Sequence, residues 1–93
     1  MAQNFDLDDF NMIDMNAKKI LVALSQLEKG LLAKGELIHK KTGLTPDIVN
    51  EAVRSLKKSL LVDIPAPLKD SPPYEFYAVE ITEFGRQVLE QFG

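Results

Sequence analysis

The sequence has no cysteine and a single histidine, His39. Disulfides, thiolate metal sites and a cysteine nucleophile are excluded at once. A transition-metal centre draws on several soft or imidazole ligands, and His39 alone does not supply them. The lack of cysteine also fits a reducing compartment. The five glycines include isolated Gly30 and Gly35 and form no glycine-rich phosphate loop. The longest apolar run, Ile20 to Leu24, is far too short to cross a bilayer. The first residues carry acids where a secretory signal carries bases. These absences lead to the expectation of a cytoplasmic protein with no cofactor and no membrane partner.

What is present is ordinary in amount and uneven in placement. The 93 residues, 45 % hydrophobic and 27 % charged, suit one small globular domain. A domain of this size hides roughly 60–70 % of the surface its unfolded chain would show. The formal net charge of −3 by itself argues against a polyanionic partner. Residues 1–16 hold Asp6, Asp8, Asp9 and Asp14 and no Lys or Arg, for −4. Residues 33–62 set Lys34, Lys40, Lys41, Arg54, Lys57 and Lys58 against Glu36, Asp47 and Glu51, for +3. Residues 63–93 set Lys69 and Arg86 against six acids, for −4. The basic zone is the middle of the chain.

Residues 1–13 mix acids with Phe5, Leu7, Phe10, Met12 and Ile13 and show no clean helical period before Asn11. They read either as a frayed acidic tail or as an arm that docks its apolar residues on a partner subunit. The run Asp6-Leu7-Asp8-Asp9 lacks the turn glycine and the bidentate Glu of a calcium loop. Residues 14–93 read as the folded domain. Ile13, Ala17, Ile20, Leu21, Leu24 and Leu27 predict a helix over about 14–28, with Asp14 or Asn16 as its cap and Gly30 as its stop. Leu31-Leu32-Ala33 is a short apolar link that suits one rung of a small sheet.

A second helix is expected over about 35–42, with Leu37, Ile38 and Thr42 inward and Gly43 at its end. Thr45 and Pro46 then open a third helix reaching Leu60. Val49, Ala52, Val53, Leu56 and Leu60 form its buried stripe, and Asp47, Glu51, Arg54 and Lys58 its outer face. Residues 61–65 read as a strand, the proline-containing stretch 66–73 as a loop, and 74–81 as a returning strand. Thr82 caps a last helix over about 83–92 whose inward residues are Phe84, Val88, Leu89 and Phe92. The class is therefore α+β, mostly α. Two helices joined by a short turn containing glycine make a helix-turn-helix unit, and a hairpin directly after it makes a wing.

The stretch from Gly35 to Val62, GELIHKKTGLTPDIVNEAVRSLKKSLLV, resembles the DNA-binding core of MarR-like and related bacterial and archaeal winged-helix regulators. Ile38, Thr42, Gly43, Leu44, Val49 and Ala52 stand where that motif places its core residues and its turn glycine. The run from Tyr77 to Arg86 is similar to the family's wing strand and the threonine-glutamate-x-glycine-arginine that follows it. The resemblance covers residues 15–93 and implies a winged helix-turn-helix fold: a three-helix core, a two- to three-stranded wing and a C-terminal helix. Three positions depart from the pattern. His39 stands where a small residue is usual and should tilt away or widen the helix crossing. Asp47 and Glu51 replace residues that are commonly neutral or basic. The wing has one base, Lys69, beside Asp70.

The function the resemblance implies is a DNA-binding transcriptional regulator whose third helix (45–60) enters the major groove of double-stranded DNA. Thr45, Asp47, Asn50 and Glu51 would lie nearest base edges, with Asn50 suited to adenine. Arg54, Lys57, Lys58, Lys40, Lys41 and Lys69 would meet phosphates, which supply most of the affinity. So few bases per subunit make a homodimer the expected form, with the acidic arm and the first and last helices as its seam. The competing expectation is an adaptor that uses the same fold to hold a protein, through outward aromatics Tyr74 and Phe76 near the wing tip. No enzyme is expected, because every Asp and Glu falls on a predicted exposed face or in the tail and no acid–base pair can be picked out.

Overall fold

The computed structural model describes residues 5–65 and 72–93. Among these, five helices and three short strands follow one another: α1 (Leu7–Asn11), α2 (Met15–Ser25), β1 (Ala33–Lys34), α3 (Gly35–Thr42), α4 (Pro46–Lys58), β2 (Val62–Asp63), β3 (Ala78–Ile81) and α5 (Glu83–Phe92). They form a small, mostly helical α+β domain. The strands form an antiparallel sheet in the order β1-β3-β2, with Ala33 opposite Val79 and Val62 opposite Ile81. The element order is compatible with the expected three-helix core and wing.

The core is one cluster. Ala17, Ile20, Leu21 and Leu24 of α2 meet Ile38 of α3 and Val49, Val53 and Leu56 of α4, and Leu61, Val62, Phe76 and Val79 close it from the sheet side. The inward stripe of α2 is the one its spacing predicts, but the helix stops at Ser25, well before Gly30. Gly30 instead serves the following turn, at φ 88°. Both α3 and α5 coincide with their expected spans. Gly43 ends α3 in the left-handed region at φ 74°, where a Cβ is costly. The turn after it is stapled by Thr42, whose Oγ1 donates to Ile38 O (2.7 Å) and accepts from Leu44 N (3.2 Å).

The end of α4 differs from its expected position. The helix stops at Lys58, and Leu60 adopts φ 64° with its side chain 53 % exposed, so it leaves the buried stripe. Leu60 N donates to Lys57 O and Leu61 N to Leu56 O, both at 3.0 Å. These are the two bonds of a Schellman ending, with leucine where glycine is usual. The reversal lets Leu61, fully buried, take the core place that a continuing helix would have given Leu60.

In the threonine-glutamate-x-glycine-arginine run, Thr82, Gly85 and Arg86 each have a structural part. Thr82 Oγ1 accepts from Gly85 N (2.9 Å), capping α5, and lies 2.8 Å from Leu60 O, to which it donates. A Cβ at Gly85 would collide with the carbonyl oxygen of Leu61. Arg86 donates to Ser25 O (3.2 Å) at the end of α2, one of the carbonyls a helix end leaves unpaired. The returning strand is shorter than expected: pairing begins at Ala78, and residues 72–77 run as turns and bends.

Residues 5–14, before α2, pack against their own chain. Asp6 and Asp9 form a reciprocal capping box at 3.0 Å that starts α1. Phe10 stacks on Phe92 of α5 at 5.8 Å between centroids, and Phe5 meets the edge of Phe84 at 5.6 Å. The arm's aromatics are thus docked on α5.

Candidate nucleic-acid interface

α4 is amphipathic because Val49, Ala52, Val53 and Leu56 recur every three or four residues and are buried together. That burial turns Asp47, Glu51, Arg54, Ser55 and Lys58 outward, all of them exposed. The N-terminal half of this ridge is acidic and the C-terminal half basic, the arrangement the helix macrodipole favours on its own. Thr45 occupies the N-cap position as expected, and Pro46 opens the helix, but the Thr45 hydroxyl makes no cap hydrogen bond.

One flank of α4 is clamped. Asn50 is 8 % exposed, the only buried polar or charged residue among those described. Its Nδ2 donates to Pro73 O (3.0 Å), and its Oδ1 accepts from Glu75 N (2.9 Å). The amide thus pairs with the passing backbone as a neighbouring strand would. One turn further on, Arg54 Nη2 meets Glu75 Oε1 at 2.8 Å. The hydrogen bond to Glu75, then its negative charge, raises the Arg54 pKa above its ordinary value. A raised pKa adds stability that is present below the unfolded value and lost only as pH rises through the folded one. Arginine therefore stays charged throughout the neutral range, and the pair is not a switch there.

Tyr74, between the two clamp residues, is 7 % exposed and fills the space above Gly35, where any Cβ would strike its ring. Phe76 is 2 % exposed and lies 5.7 Å from Tyr74. The expected outward aromatic patch is therefore corrected. Both rings are interior, because the bends before β3 turn them under the chain, and Tyr74 shows only an edge, at the floor of a groove.

The ten residues singled out from the sequence are not one surface. Asn50 is corrected from base reader to buried anchor, since both ends of its amide are occupied inside the chain. Arg54 is exposed but engaged with Glu75. Thr45, Asp47, Glu51, Lys57 and Lys58 are exposed on or beside α4. Lys40 and Lys41, adjacent in α3, diverge: Lys40 lines a groove with Lys34, Leu37, His39 and Tyr74, and Lys41 a trough with Lys18 and Lys19 of α2. Lys69 lies outside the described residues. Lys34, whose Nζ sits 5.0 Å over the Tyr77 ring, was missed. Its neighbourhood with Lys40 comes from β1 pairing beside α3, which no local spacing reveals. Glu75 was missed for the same reason, being 21 residues from Arg54.

His39 tilts away, as its size requires: it is exposed, and Nδ1 lies 2.7 Å from Leu44 O. Because a carbonyl only accepts, Nδ1 carries the proton in this contact. Among the described residues no group of three His, Asp or Glu side chains is placed to hold a metal. No helix among them is long and apolar enough to cross a membrane. No family model matches this chain, and neither the curated proteins nor the solved structures give a match to it.

Proposed function

We propose that the chain is a winged helix-turn-helix regulator that binds duplex DNA through α4, with the β2–β3 connection as its wing. The observation that carries this reading is the ridge Asp47–Glu51–Arg54–Ser55–Lys58, exposed along the length of a helix held rigidly from behind by the core and from one flank by the Asn50 clamp. A rigid helix presented on the outside is what major-groove entry requires. Thr45, Asp47 and Glu51 lie nearest the base edges, with the two carboxylates suited to accept from cytosine. Lys57, Lys58 and Lys40 supply phosphate contacts, and Arg54 joins them when a phosphate competes with Glu75 for its guanidinium.

Few phosphates are neutralised per copy, so affinity is modest and falls steeply with salt. A duplex of random sequence, titrated at about 50 mM and about 200 mM salt, should bind at the lower and lose at least about tenfold in affinity at the higher. Absence of binding at the lower salt would remove this reading.

A second reading, an adaptor for a protein, is favoured by one observation. The end of α4 that would enter the groove is acidic and carries Ile48, 38 % exposed, between Asp47 and the Glu51 turn. An acidic surface with an apolar centre suits a basic protein segment. Replacement of Ile48 by Ser, which removes the apolar contact without adding charge, separates the two: it should abolish capture of a protein partner while leaving non-specific DNA affinity within a few-fold.

A further inference from the structure

One side of α2 faces away from the core along its whole length. Met15, Lys18, Lys19, Val22, Ala23 and Gln26 stand at i, i+3, i+4, i+7, i+8 and i+11, so they form a single stripe. Met15 and Val22, two turns apart, are 75 % and 42 % exposed, on the side opposite the buried Ala17, Ile20, Leu21 and Leu24. At 3.6 residues per turn Lys18 and Lys19 flank this apolar pair, one to each side. Lys41 and Thr42, at the end of α3, stand beside the stripe, and together they line an open trough of about 420 Å³. The lining holds three lysines and no carboxylate. The ion pairs among the described residues are Lys29–Glu83 and Arg54–Glu75, so none of these lysines is neutralised in that way.

An apolar strip edged by bases needs an occupant that is apolar at its centre and acidic at its edges. A phosphate backbone would answer the lysines but leave Met15 and Val22 without an apolar counterpart. A second copy presenting the same face would set lysines against lysines. A bilayer, being flat, would leave the space between α2 and the end of α3 unfilled. A helix with apolar side chains on one face and carboxylates beside them answers the lysines, the apolar pair and the concave shape together. From Met15 to Gln26 the stripe runs roughly 16 Å, the length of three turns of such a helix.

We propose that the α2–α3 trough is a docking site for an acidic amphipathic helix of another protein, with its apolar face on Met15 and Val22 and its carboxylates on Lys18, Lys19 and Lys41. No residue of α4 lines the trough, so the site stands or falls without reference to what α4 binds.

Fluorescence anisotropy on the full chain tests it. The probe is a labelled synthetic peptide of about 15 residues, with leucine at helical spacing and glutamate elsewhere. It should bind with a Kd below about 100 μM at low salt and more weakly as salt rises. The same peptide with lysine for glutamate should not bind. Lys19→Gln with Lys41→Gln should weaken binding about fivefold or more. Met15→Ser with Val22→Ser, which changes no charge, should also weaken it about fivefold or more. Lys57→Gln with Lys58→Gln, at the end of α4, should leave it within about twofold. These six positions are exposed, and unchanged circular dichroism confirms the fold. No binding by the wild type, a loss from the α4 pair equal to that from the trough lysines, or indifference to the Met15 and Val22 changes would each overturn the proposal. Two further arms name other occupants. Vesicles of phosphatidylcholine with about 30 % phosphatidylserine that hold the wild type but not the Met15 and Val22 variant would give the trough to a membrane. Self-association in sedimentation velocity that the same variant loses would give it to a second copy. Either result would also overturn the proposal.

Discussion

Leu60 holds a left-handed backbone conformation for which leucine is poorly suited, and the cost is tolerated because the reversal brings Leu61 into the core. A non-glycine residue there costs on the order of 1 kcal/mol or more. Leu60→Gly should therefore raise stability by about 0.5–1 kcal/mol after the greater unfolded-state freedom of glycine is counted. Urea denaturation checks this, and a lower midpoint would mean that the half-exposed side chain contributes more than the strain costs. Asn50 makes the opposite prediction. Asn50→Ala leaves Pro73 O and Glu75 N without partners and should cost about 1–3 kcal/mol. A loss of DNA affinity with unchanged stability would instead return Asn50 to the role of base reader. Gly85 and Thr82 belong at the same scale. The short run they share was recognisable in the sequence as a resemblance, but its physical content, a cap and a close approach to the Leu61 carbonyl, needed coordinates.

Among the elements, α3 and α5 were legible to the residue because apolar spacing, a stop glycine and a cap threonine agree at their ends. α2 and α4 were legible in type and inward stripe but not in their ends, since chain reversals at Gln26 and Leu60 obey tertiary packing rather than local preference. α1 was not foreseen at all. Five residues are too few to show a period, and its stability comes from Phe10 against Phe92, which are 82 positions apart. The candidate interface was half legible: outward residues follow from periodicity, whereas the Asn50 clamp and the Arg54–Glu75 pair were not, because their partners arrive from a distant bend. Phe10→Ala should detach α1 and leave the rest folded. Amide exchange should then speed up at Phe10 and Met12, whose N–H groups bond Asp6 O and Asp8 O, while α2 and α4 stay protected. Equal loss of protection throughout would make the arm part of the cooperative core.

Over the whole molecule the charges divide by region. Acids crowd the arm and the chain after β2, and bases lie on the outward side of α2 and along α3 and the end of α4. Such a layout leaves exposed bases both beside the trough of α2 and at the end of α4. On the proposed reading, the α4 side meets DNA. Backbone amide shifts of the labelled chain, followed as a short duplex is added at low salt, test it most directly. The account predicts shifts at Thr45, Asp47, Glu51, Lys57, Lys58 and Lys40, with α1 and α5 unmoved. Shifts confined to Met15–Ser25 and Lys41, or no shifts at all, would contradict it.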